Sequence, residues 1–180
     1  MAERTPTADR WVYGLAYVGL MSALTLLHIM PIEITRGALP APDLLTSITF
    51  AWVLRRPQYV PTLLVALVFL VSDVLFMRPL GLWTALTVLA VEFLRRREAN
   101  VRERTFPLEW AMVAGVLLAM TLANRLVLTV FLVNQAGLGL SILQMIITIL
   151  AYPLVVLMSR FVLSVQKMTP GETDARGRPR

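Results

Sequence analysis

The stretch that decides the fold runs from Pro42 to Pro57 and reads PDLLTSITFAWVLRRP. Between Asp43 and Arg55 lie only LLTSITFAWVL, all apolar or hydroxyl-bearing. A bilayer core of about 30 Å takes roughly 20 helical residues at about 1.5 Å each. This segment is therefore too short to cross as a helix by itself, and whether it crosses decides the sidedness of everything after it.

The rest of the chain leaves little doubt about the solvent. Of 180 residues, 57% are hydrophobic, beyond the usual range of soluble domains, and long apolar runs recur from Trp11 to Val165. The reading is an all-α integral membrane protein, a six-helix transmembrane bundle with a short or broken second span. The spans fall at about 11–30, 38–54, 60–77, 79–94, 106–133 and 138–165 within one membrane domain, 1–165. The two long ones are expected to tilt or protrude. The tail, 166–180, is polar, rich in Pro and Gly, and expected to be disordered. There is no cysteine, hence no disulfide or thiolate metal site, and a single histidine does not make a histidine-based one.

Charge settles the short segment. If it crosses, both termini share one side with Arg4, Arg10, Arg55, Arg56, Arg95, Arg96, Arg97, Arg102, Arg104, Arg160, Lys167, Arg176, Arg178 and Arg180. Only Arg36 and Arg78 fall opposite, and Arg125 lies within the membrane. The rich side is then cytoplasmic. If the segment turned back, RRREANVRER (95–104) would be exported, so the crossing reading is preferred. GALPAP (37–42) would complete the span as an extended half, which is tolerable at that depth only when buried in protein or facing a wet cavity.

Trp11, Trp52, Trp83 and Trp110 each lie near an expected helix end, where an indole suits the headgroup layer. The first span is too long for a cleaved signal and reads as a signal-anchor. The arginines beside the membrane attract anionic lipids, and nothing else in the chain supports nucleic-acid binding.

Polar residues inside the spans need partners or water. Asp73 and Arg125 both fall in the outer half of the membrane. They either pair, with Asn124 as a neighbouring donor, or snorkel separately to the outer headgroups. Glu92 and Glu109 lie at cytoplasmic helix ends, where pairing or solvation is easy, and His28 reads as interfacial. Gly19 with Ala23, and Gly115, Ala119 and Ala123, form small-residue ridges for helix packing, within the chain or with a partner. Pro153 has no N–H for the carbonyl of Ile149 and should kink the sixth helix.

Catalysis finds little footing. Asp43 and Asp73 could face each other as in intramembrane aspartyl peptidases, but Asp43 reads as the N-cap of the short helix. A serine nucleophile would have only His28 as its base. No catalytic residue, metal or cofactor is expected.

The stretch PAPDLLTSITFAWVLRRPQYVPTLLVALVFLVSDVLFMRPLGLWTALTVLAVEFLRRR, 40–97, resembles the bacterial rod-shape-determining MreD family. Pro42-Asp43 opens a short helix, Arg56-Pro57 follows it, an apolar helix carries Asp73, and Pro79-Leu80-Gly81 starts the next span. Where the family commonly has a glycine shortly before the aspartate, this chain has Val71 and Ser72. The resemblance implies a non-catalytic scaffold of the inner (cytoplasmic) membrane, working with MreC, the actin-like MreB, RodA and a class B penicillin-binding transpeptidase in peptidoglycan synthesis. It also implies a fold similar to the substrate-binding S-components of energy-coupling-factor vitamin transporters. That transporter is the rival function, with the segment Gly37 to Asp43 as part of a ligand lid. Its weakness is a thin outer polar set: Glu33, Arg36, Asp43, Asp73, Asn124, Arg125, Asn134 and Gln135.

Overall fold

A computed structural model describes residues 6–29, 40–55, 57–102, 106–133, 135 and 137–162, with backbone only at 6–10, 98–102 and 160–162. Among them are six α-helices and one short 3-10 turn. They are α1 Pro6–Ile29, α2 Leu44–Arg55, the turn Pro57–Tyr59, α3 Thr62–Leu75, α4 Leu82–Arg102, α5 Phe106–Val130 and α6 Leu138–Val162. Three of these are long and apolar enough to cross a membrane: Trp11–Ile29, Phe106–Val130 and Leu138–Ser159.

The short helix is the centre of the molecule. Every residue of α2 from Leu45 to Arg55 is buried. It packs against α4 and α6 on its flanks and touches α1, while α1, α3, α4, α5 and α6 follow one another in an arc around it. A helix that is apolar all round must be enclosed, and this explains how a rod of only 12 residues, about 18 Å long, is accommodated. Two of its three hydroxyls, those of Thr46 and Thr49, are hydrogen-bonded, while that of Ser47 is buried with no partner among the described residues. Thr49 donates to the Leu45 carbonyl (2.8 Å) and shares a hydrogen bond with Tyr17 of α1 (2.8 Å). Around it lie Tyr17, Met21, Phe69, Leu94 and Tyr152, all essentially inaccessible.

The outer faces of the arc are apolar as well. On α3, Leu63, Leu67, Leu70 and Val74 recur at helical spacing and are exposed, Leu63 by 82%. Leu118, Leu122 and Leu126 do the same on α5, and Leu150, Leu154 and Leu157 on α6. In water such faces would drive association; against lipid chains they are ordinary. The distribution is that of a membrane protein.

Two features depart from the sequence reading. The arginine run 95–104, expected as a loop, is helical as far as Arg102, because Arg, Glu and Ala are good helix formers and Glu92 meets Arg96 one turn on (3.5 Å). The tryptophan belt fails at Trp52, which is fully buried because it belongs to the enclosed α2. Trp83 and Trp110 are half-buried, and only Trp11, 75% exposed, stands clear of the bundle.

Candidate functional site

Six helices joined in sequence bring the last turn of α3, the first turns of α2, α4 and α6, and the last turn of α5 to one end of the bundle. This end is poor in arginine. Here α3 terminates in a left-handed cap: the Arg78 N–H donates to the Asp73 carbonyl (3.0 Å) and the Met77 N–H to that of Val74 (3.2 Å). Met77 takes φ 51° and Gly81 φ 80°. A side chain at 81 would be strained by that dihedral alone, so the glycine is needed for the turn.

Within this corner Asp73 is 1% exposed. Its Oδ2 accepts hydrogen bonds from the Gly81 N–H (3.2 Å), the Thr84 N–H (3.2 Å) and the Thr84 hydroxyl (2.8 Å). These amides open α4 and would otherwise lack partners, and the carboxylate lies at the positive end of that helix. Asp73 is therefore a clasp from α3 to α4. It neither reaches the headgroups nor turns to Arg125, which lines a separate cavity that Asp73 does not border.

Asp43 fulfils the capping role expected of it. Its Oδ1 accepts from the Thr46 N–H (3.0 Å) and its Oδ2 from the Thr46 hydroxyl (2.7 Å). The extended approach, of which residues 40–43 are described, is pinned to α6. Gln144 donates to the Ala41 carbonyl (3.3 Å), and the Asp43 N–H donates to Thr148 Oγ1 (3.0 Å), whose own proton goes to the Gln144 carbonyl (2.7 Å). This non-helical backbone is thus held to α6 by hydrogen bonds, with Ala41 exposed and Pro40, Pro42 and Asp43 half-buried. Gly37 and Arg56 lie outside the described residues.

Between these two structures is a cavity of about 200 Å³ whose wall includes Asp43, Arg78, Pro79, Asn124, Arg125 and Gln144. A second hollow of about 290 Å³ adjoins it, sharing Asp43, Arg78 and Gln144, with Leu24, Leu27, Pro42 and Phe76 in its wall. His28 also lines it, its ring 4.8 Å from that of Phe76.

The opposite end holds a group that the sequence reading undervalued. Glu109, expected where pairing or solvation is easy, pairs, but it is wholly buried and not solvated. Its Oε1 pairs with Arg55 Nη1 (2.9 Å) and accepts from the Tyr152 hydroxyl (2.9 Å), tying α2, α5 and α6 together. Arg55 also donates to the Ala51 carbonyl (3.2 Å). The signal for this triad was opposite charge at matching depth, at the end of α2 and the start of α5. Close by, Arg95 of α4 donates to the Val60 carbonyl (2.8 Å), beyond the turn that Pro57 begins. Glu92, by contrast, pairs with Arg96 in the open, as expected.

The carbonyl of Ile149, deprived of its helical donor by Pro153, receives the indole N–H of Trp110 (2.8 Å). Among the described residues the small-residue ridges make no close helix contacts within the chain. A Cβ at Gly19 or Gly115 would meet nothing within 4 Å. Ala23 and Ala119 are exposed, and Gly115, Ala119 and Ala123 line an open apolar groove of about 420 Å³ between α4 and α5. Among the described residues no His, Asp or Glu cluster could hold a metal ion. Comparison with protein-family models, curated proteins and solved structures finds no match to this chain.

Proposed function

We propose that this chain is a non-catalytic membrane scaffold of the bacterial cell-elongation complex, of the MreD type. In this reading it helps couple MreB filaments and MreC to wall synthesis by RodA and a class B penicillin-binding transpeptidase. The observation that carries the reading is the Asp73 corner. The residues on which the resemblance rests, Asp73, Pro79 and Gly81, form one joint between α3 and α4, and a joint is what a scaffold requires of a buried carboxylate. Asp43 and Glu109 likewise fasten helices to one another.

The same reading takes all six helices as spanning the inner membrane, with both termini cytoplasmic and the short α2 completed by its extended approach. The outward apolar groove beside Gly115 and Ala119 is then open to a partner's helix within the bilayer. The two hollows beside Asp43 favour a second reading, an energy-coupling-factor S-component with a vitamin bound there. Each is smaller than the roughly 300–1,000 Å³ typical of small-molecule pockets, which weighs against it.

The test is depletion of the protein in its host, with cell shape followed by microscopy in plain and vitamin-supplemented medium. The expected result is rounding or bulging that vitamins do not cure. Normal shape with vitamin-dependent growth would overturn the scaffold and favour the transporter.

A further inference from the structure

Between α4 and α5 runs a groove of about 420 Å³ that the described residues leave open. Leu86, Leu89 and Phe93 of α4 form one wall, and Met112, Gly115 and Ala119 of α5 the other. From Met112 to Ala123 it follows α5 for about 16 Å, or three turns of helix. The α5 side is low because its residues are small: a Cβ at Gly115 would meet nothing within 4 Å, and Ala119 is exposed. Glycine in mid-helix weakens a helix, and Gly115 gains no contact among the described residues that would offset this. Lipid chains solvate any apolar face, so a face that meets only lipid has no use for a missing side chain. A helix that must approach closely does. The thioether of Met112 gives that wall a shape that adapts to a neighbour.

The groove ends in a charge. Phe93 lines it toward the arginine-rich end, and one turn further on the Arg97 guanidinium lies over the Phe93 ring, 5.0 Å from its centroid. Arg97 is exposed and has no carboxylate within ion-pair distance among the described residues, while Glu92 on the same helix is paired with Arg96. A second copy of this chain would bring its own arginines to the same end, and like charges across an interface are costly. A helix carrying an acidic side chain there completes the contact. It packs closely along the small residues of α5, and its carboxylate meets the guanidinium fork at the rim.

We propose that the groove between α4 and α5 docks a transmembrane helix of another protein, one that presents small residues to Gly115 and Ala119 and an Asp or Glu to Arg97. The proposal rests on the scaffold reading, in which the groove faces a partner within the bilayer, and deepens it by stating the chemistry of the helix that fits.

The test places the photo-crosslinker p-benzoylphenylalanine at position 119 of the full chain in its host's membranes, with the outward-facing position 67 of α3 as the control. Irradiation should join position 119, and not position 67, to one other protein. Mass spectrometry of the adduct should place the joined peptide in a membrane span with an acidic residue at the end that meets Arg97. Arg97→Glu, a change at an exposed position, should lower the yield about tenfold, and exchange of the partner's acid for Lys should restore it. Gly115→Leu, which fills the groove where a Cβ meets nothing, should abolish the adduct. An adduct with a second copy, or with phospholipid alone, would overturn the proposal. So would equal yields at the two positions, no adduct at either, or a yield indifferent to Arg97→Glu. The readout is the adduct rather than cell shape, so its failure leaves the scaffold reading to be decided by depletion.

Discussion

Asp73 and Glu109 are both carboxylates inside an apolar bundle, and they are accommodated differently. Asp73 satisfies two backbone amides and a hydroxyl at the start of α4, so its charge faces a helix dipole. Replacing it with Asn keeps an acceptor and removes the charge, which should cost about 1–2 kcal/mol. Because Arg125 belongs to another wall, Asp73→Asn and Arg125→Gln should add to within about 0.5 kcal/mol in a cycle measured by denaturant unfolding in micelles. Coupling well above that would place the two charges in one network. Glu109 instead faces a full cation, and Glu109→Gln would leave Arg55 without its counter-charge, at 3% exposure. The expected loss is about 3–5 kcal/mol. Removing both charges together, as Arg55→Met/Glu109→Leu, should return stability toward that of the unaltered protein. If the double variant is worse than Glu109→Gln, the pair is not what holds this end closed. Asp43 could be read as a cap from its neighbours alone, since capping is decided within four residues. The partnership of Arg55 with Glu109 could not, because it depends on which helix ends meet.

Among the helices, α6 shows how a local defect is repaired by a neighbour. The missing N–H of Pro153 follows from the sequence, and so does the stranded carbonyl of Ile149. That Trp110 supplies the donor needs the packing of α5 on α6. Trp110→Phe should cost about 1 kcal/mol by leaving that carbonyl unsatisfied. In a Pro153→Ala background, where residue 153 again offers its own N–H, the same change should cost measurably less. Equal costs in both backgrounds would mean that Trp110 contributes by its bulk alone. The limits of α2 were legible for a related reason: Asp43 starts it, and Pro57 disfavours helix at the residue before it. Its complete burial was not legible, because eleven apolar or hydroxyl-bearing residues suit a half-span as well as a core. The length of α4 was hidden by its arginines, which serve equally as loop charges and as the exposed face of a helix.

For the whole molecule the open quantity is sidedness, and the fold makes it measurable. The α3 and α5 caps both place an apolar residue in the left-handed region: Met77 (φ 51°, 95% exposed) and Leu132 (φ 54°, 92% exposed). The α5 cap repeats that of α3, with the Val133 N–H on the Leu128 carbonyl (3.0 Å) and the Leu132 N–H on that of Thr129 (3.1 Å). Glycine would avoid a steric cost of roughly 1–2 kcal/mol at each position. Large apolar side chains there are favoured when the turns lie in the membrane interface. Both turns are at the arginine-poor end, whereas Arg96 and Arg97 are exposed toward the other end of α4. On the proposed six-span arrangement, the positive-inside rule would put Met77 and Leu132 outside and Arg97 in the cytoplasm. The chain has no cysteine, so single substitutions Met77→Cys, Leu132→Cys and Arg97→Cys report without background. In intact spheroplasts a membrane-impermeant maleimide should label the first two, and Arg97→Cys only after permeabilisation. Labelling of Met77→Cys and Arg97→Cys from the same side would mean that α4 does not cross. Labelling of Met77→Cys and Leu132→Cys from opposite sides would break the alternation on which the six-span reading rests. The inverse of the expected pattern would keep the bundle and reverse it in the membrane, placing the two-arginine cavity in the cytoplasmic leaflet.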